Sequence, residues 1–238
     1  WFEEMANRVC DGLNACGYVY CPGDVMAKTD EWRQPLAAWQ KTVRKWTLSP
    51  TPAAVMRVSI FFDLRAVHGD SALCAALQKT MLEQAGKNTI FLAALAANAL
   101  DSKPPLGIFR RFVVDRNGEH ADELDLKKRG VLPITEIIRL HALANGVAAV
   151  NTVERLEALV EARALTLVDS RNLADALNSI QQKRIKHQCE QIIAGEQVSN
   201  FLNPRDLPKM AREQLRDAFT IIDESQSAVR QRYRAGLG

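Results

Sequence analysis

Apolar residues recur at helical spacing along most of the chain. Phe2, Met5, Val9 and Leu13 form one stripe of a predicted helix over residues 2–16, and Gly17 suits a left-handed stop. Pro22-Gly23 marks a turn, Thr29 or Asp30 can cap a second helix, and Pro35 sits where a first turn tolerates proline. The pattern changes at residues 55–66. There Met56, Val58, Ile60, Phe62 and Leu64 alternate with Arg57, Ser59, Phe61, Asp63 and Arg65. Successive strand side chains point to opposite faces, so this alternation predicts a strand with one apolar and one mixed face. Asp70 or Ser71 then caps a helix to about residue 85, and Asn88 caps another over 88–100. The stretch from Phe109 to Gly130 reads as two strands around an Asn117-Gly118 hairpin turn.

After Pro133 the texture is purely helical. One helix ends at Gly146 and another starts at Thr152. Asp169 caps a long one that Gly195 closes, and a last one runs over 209–234. Its Leu215, Phe219, Ile222, Gln226, Val229 and Tyr233 follow bundle spacing. The expected fold class is therefore α+β. A mixed α/β part over residues 1–130 precedes an all-α helical bundle over 131–238.

Composition narrows the function classes. The chain has 238 residues, 47% hydrophobic and 25% charged, which supports a folded core. Its 31 basic and 28 acidic residues give a net charge of +3, which makes no case for a nucleic-acid binder. The five cysteines lack zinc-type pairing and read as reduced thiols of a cytoplasmic protein. The longest apolar run, residues 90–100, is too short to span a bilayer, so no membrane partner is expected. The chain opens with Trp1 directly inside a predicted helix, which suggests a piece of a longer protein.

A few polar positions interrupt the apolar pattern. Asp63 and Arg65 share the mixed face of the predicted strand, where they either meet solvent and each other or line a groove. Lys127, Lys128 and Arg129 form a basic turn, either solvated or placed to meet nucleotide phosphates. In the long helix, the stripe Leu173, Leu177, Ile180, Arg184, His187, Gln191 turns from apolar to polar. Either the helix leaves the core there, or Arg184 and His187 line a cleft for a substrate. His141 beside the Ile134 and Ile138 stripe reads as a hydrogen-bonded packing residue, and Trp32, Trp39 and Trp46, seven residues apart, as a packed stripe.

Four segments in order, "GYVYCPGDVMAKTDEWRQPLAAW", "IFFDLRAVHGD", "DLKKRGVLPITEIIRLHAL" and "NFLNPRDLP", carry a resemblance. They are similar to a bacterial family of nucleotidyltransferases with CBS domains and a cyclic-nucleotide-binding-type domain upstream. That family is related to the PII uridylyltransferases and glutamine synthetase adenylyltransferases. The resemblance implies the later part of a nucleotidyltransferase domain over 1–130, then a helical substrate-binding domain. It implies Mg²⁺ as cofactor, held by three carboxylates, with Asp63 matching the third as catalytic residue and metal ligand. Arg65, Lys127 and Lys128 would then meet the nucleoside triphosphate, and Arg184 and His187 the acceptor.

The sequence departs from that family at Asp24, where a second glycine is frequent, and more seriously in its carboxylates. No Asp-x-Asp pair occurs in these 238 residues, and Glu123-x-Asp125 lacks the glycine-turn context. The chain alone is therefore expected to be inactive. Two readings follow. One is the C-terminal part of a signalling nucleotidyltransferase, uridylyltransferase-like, that modifies a protein or small-molecule acceptor. The other is a non-catalytic module that binds a regulatory partner.

Overall fold

The computed structural model describes residues 1–114 and 117–233. It is mostly helical, and among the described residues the only sheet is a two-stranded one. The helices are α1 (Phe2–Ala15), α2 (Leu36–Leu48), α3 (Pro52–Phe61), α4 (Ser71–Ala85), α5 (Thr89–Asp101), α6 (Leu132–Ala144), α7 (Thr152–Glu161), α8 (Leu167–Ala194) and α9 (Lys209–Tyr233). The strands are β1 (Leu124–Asp125) and β2 (Phe201–Leu202), paired antiparallel.

Where a strand is predicted at 55–66, the structure has the helix α3 up to Phe61 and then a turn and loop. Thr51 caps the helix by accepting from Ala54 N at 3.2 Å, and Pro52 sits in its first turn. Burial follows helical spacing: Ala54, Val55, Val58 and Phe62 are inside, while Met56, Ile60 and Leu64 are exposed. The alternation in sequence places Met56, Val58, Ile60, Phe62 and Leu64 on one face, and the structure splits them. The predicted hairpin is also replaced. Leu106 bridges Phe112, and β1 finds its partner in β2, far along the chain. Asp115 and Arg116 of that predicted hairpin lie outside the described residues, as does the last residue of the predicted 209–234 helix.

Other elements form as their capping chemistry dictates. Asp70 and Asn88 cap α4 and α5 as expected. Helix α7 starts at Thr152 as expected, capped by Asn151. The cap of α8 is Thr166, whose hydroxyl accepts from Asp169 N and donates to Asp169 Oδ2 at 2.7 Å. Gly195 closes α8 at φ 73°, in the left-handed region where a Cβ is costly.

The core gathers around α6. Ile134, Ile137, Ile138, Leu140, Ala142 and Leu143 are all buried, and so are Glu136, Arg139 and His141 of the same helix. A helix buried all round must find a partner for every polar side chain. Helices α4, α5, α7 and α9 pack around it, and α8 runs beside α9. A one-turn π-helix over Lys127–Val131 leads into α6. Its Gly130 lets Ile180 and Phe219 approach: a Cβ there would come within 2.9 Å of Ile180 Cγ2. Trp32, Trp39 and Trp46 pack with Phe61 at ring separations of 4.7–6.1 Å, a packed aromatic stripe as expected.

Candidate functional site

Asp63 follows the end of α3, and its carboxylate is taken by two guanidinium groups. Arg139 of α6 reaches it through Nη2 at 2.5 Å and Nε at 3.3 Å, and Arg155 of α7 through Nη1 at 2.8 Å. Arg139 also binds Glu136 Oε1 at 2.6 Å. Arg155 donates to the carbonyls of Ala149 and Phe62, and its guanidinium lies 4.5 Å from the Phe62 ring centre. Two anions and two cations therefore balance at the junction of α3, α6 and α7. Burial by itself would raise the Asp63 pKa, but the hydrogen bonds and charges of Arg139 and Arg155 win and hold it below the ordinary aspartate value.

This placement does not fit a Mg²⁺ ligand. Both Asp63 oxygens face arginines, the nearest other carboxylate is bound to one of the same arginines, and two guanidiniums would repel a divalent ion. Among the described residues, no group of three His, Cys, Asp or Glu side chains could hold a metal. Arg65 does not share a face with Asp63; it is exposed in the loop that follows α3.

The other predicted site residues gather around the small sheet. Asp125 of β1 accepts from the backbone N–H groups of Lys127 and Lys128 at 3.0 and 2.8 Å, which leaves both lysine side chains exposed. Arg184 Nε donates to Asn200 Oδ1 at 2.6 Å, next to β2. Gln188 and Gln191 bind the same connector through Ser199 and Asn200. The polar half of the α8 stripe thus grips the chain's own segment 199–200. His187 is half-buried, and its Nε2 has no partner among the described residues.

A different cleft, with apolar walls and a few polar side chains, lies between α6, α7, α8 and α9. It measures about 460 Å³, and its lining includes His141, Arg163, Thr166, Asp169 and Arg232. Arg163 follows the end of α7 at φ 56°, and Arg232 donates to Ala164 O at 3.2 Å from the last turn of α9. The ring of His141 closes the inner wall, with Nδ1 3.1 Å from the Tyr233 hydroxyl. Burial and the Arg232 charge lower the His141 pKa from 6.5 to about 4, so the imidazole is neutral at pH 7. Two arginines against one aspartate leave the cleft net positive, with a hydrogen-bonding wall.

Sequence reasoning reached His141 only as a packing residue and missed Glu136, Arg139, Arg155, Arg163 and Arg232. A signal for two of them was present: "ITEIIRLHAL" puts charges into a helix that is apolar on every side. Arg163 and Arg232 carry no such mark, because their convergence depends on how α7 and α9 end.

Comparison with known families assigns both parts of the chain. Residues 89–233 match the family described as "Putative nucleotidyltransferase substrate binding domain", and residues 1–53 match "Putative nucleotidyltransferase DUF294". The first match starts at α5, inside the stretch that the sequence pattern assigned to the first domain. No curated protein and no solved structure matches the chain.

Proposed function

Since the chain belongs to the nucleotidyltransferase substrate-binding-domain family, and with it has a nucleotidyltransferase-like role, we propose that the cleft at His141, Arg163 and Arg232 receives the acceptor of a nucleotidyl transfer. The observation that carries this reading is the convergence of two arginines and a neutral histidine inside residues 89–233. A guanidinium pairs a phosphate or carboxylate through two parallel hydrogen bonds, so the cleft suits an acceptor with an anionic group. Asp169, also in the lining, can accept from a hydroxyl or amine of the same molecule. The nucleoside triphosphate and Mg²⁺ belong, in this reading, to the nucleotidyltransferase part that residues 1–53 match. Asp63 serves as a tie between α3 and the helical unit. The acceptor is a protein or a small molecule, and the transferred group a nucleotidyl of the uridylyl or adenylyl kind.

The test has two arms. Phosphorylated and carboxylated small molecules are titrated calorimetrically into the wild type and into Arg163→Gln/Arg232→Gln. At least one class should bind the wild type, and the double variant should lose it at unchanged melting temperature. The bound compound is then offered with Mg²⁺ and α-labelled UTP or ATP to the protein in its natural length. Label on the acceptor supports transfer. Binding without label favours the second reading, a partner-binding module. Binding that survives in the double variant contradicts the cleft.

A further inference from the structure

Helix α8 carries apolar side chains on two separate faces, roughly 125° apart around the helix axis. One face holds Leu173, Leu177 and Ile180, which are buried against the bundle. The other presents Ile185, Cys189 and Ile192, at spacings of four and three residues, with Ile193 beside them. Ile185, Ile192 and Ile193 are 53%, 64% and 86% exposed, and Cys189 is exposed too. No described residue covers this patch. A contiguous apolar strip in the polar half of a long helix marks a contact surface, because leaving it in water forfeits the gain of burial.

We propose that this face pairs with the same face of a second copy of the chain, antiparallel about a two-fold axis near residue 188. Two features of the patch choose this occupant. The strip is symmetric about its own midpoint, with an isoleucine at each end and Cys189 near the centre. Lys186 and Glu190 lie together on one flank, on either side of that midpoint, and already attract each other at 3.8 Å within the helix. When two helices cross antiparallel, each flank meets its own copy. Lys186 of one chain then meets Glu190 of the other, and the pair occurs twice, as an isologous interface requires. The opposite flank cannot serve, since Gln188 and Arg184 there hold Asn200. A parallel pairing would place the charged flank against that occupied one. This inference is independent of the acceptor cleft, which lies at the other end of α8.

Sedimentation of the full chain tests it. The wild type should be a dimer at tens of micromolar, roughly the range expected for a modest two-helix contact. Ile185→Asp/Ile192→Asp should be a monomer with unchanged helix content. Lys186→Glu should weaken the dimer about tenfold, because two attractions become two repulsions. Lys186→Glu/Glu190→Lys should restore it. As a geometric check, a chain with Cys189 as its sole cysteine should cross-link rapidly under mild oxidation. A monomeric wild type overturns the proposal, as does a dimer that ignores the Ile185 and Ile192 substitutions. A dimer broken equally by Lys186→Glu and by the charge swap overturns the antiparallel register.

Discussion

Asp11 and Asp63 have similar polar partners and very different surroundings. Asp11, on α1, accepts from Lys28 Nζ at 2.9 Å and from the Tyr20 hydroxyl at 2.7 Å. Asp63 accepts from Arg139 and Arg155 at 2.5–3.3 Å, distances of the same order. Asp11 sits in a segment where almost nothing is buried: of α1, only Ala6 is inside, and Phe2, Met5, Val9 and Leu13 stay exposed. Asp63 faces an arginine that is 2% exposed and another that is 9% exposed, both held in the packed unit around α6. Similar contact distances carry different energies in the two settings. In water the pair and its solvated parts are nearly equal in energy. At a buried arginine the carboxylate is the partner that makes burial tolerable.

The largest effect should therefore come from Asp63→Asn, which keeps the shape and removes the charge. Arg139 and Arg155 would be left with Glu136 alone. We expect a loss of about 2–3 kcal/mol in urea unfolding with an unchanged m-value, less than for a fully buried pair because Asp63 is partly wet. A change too small to measure would put Asp63 in the same class as Asp11. Lowering the pH should act in the same direction. The folded-state pKa of Asp63 is depressed, so its stabilisation is complete above the unfolded value and disappears as pH falls through the folded one.

A second effect, on the order of 2 kcal/mol, should appear between pH 6.5 and about 4 and belongs to His141. In that window the unfolded chain binds a proton that the buried imidazole refuses, so stability rises with pH. His141→Gln should flatten the dependence there while leaving the fall below pH 4 to the carboxylates. An unchanged slope in that variant would show that His141 is not the group refusing the proton. The smallest effect should be that of Asp11→Asn. Its pKa is lowered by the bonds from Lys28 and Tyr20, yet all three groups are at the surface, and unfolding should be indistinguishable from wild type. A clear destabilisation would mean that α1 and the loop after it are braced through this contact.

The helical half of the fold was legible from sequence because its signals are local. Asn88, Asp70, Gly195 and the Leu215-to-Tyr233 stripe each act within a turn or two of themselves. The failures came where the deciding contact is distant. Val58 and Phe62 alternate with polar neighbours as in a strand, yet Thr51-Pro52 starts a helix, and its ten residues are too few for the periodicity to outweigh the β-branched run. Strand β1 pairs with β2 instead of folding back at Asn117-Gly118. Asp63 and Arg139 are separated by 76 residues, so no spacing rule links them. The candidate cleft was invisible for the same reason, since Arg163 and Arg232 meet only through the packing of α7, α8 and α9.

In the proposed function, the anion-accepting site of this chain lies at Arg163, Arg232 and His141, and not at the basic turn or the polar stripe of α8. The most direct measurement is a nuclear magnetic resonance titration with inorganic phosphate and, separately, acetate, following arginine Nε–H and histidine ring signals. Saturable shifts of Arg163, Arg232 and His141 are expected with at least one anion, with near silence from Arg184 and His187 and from the backbone of Lys127 and Lys128. Saturable shifts confined to Lys127, Lys128, Arg184 or His187 would contradict that assignment.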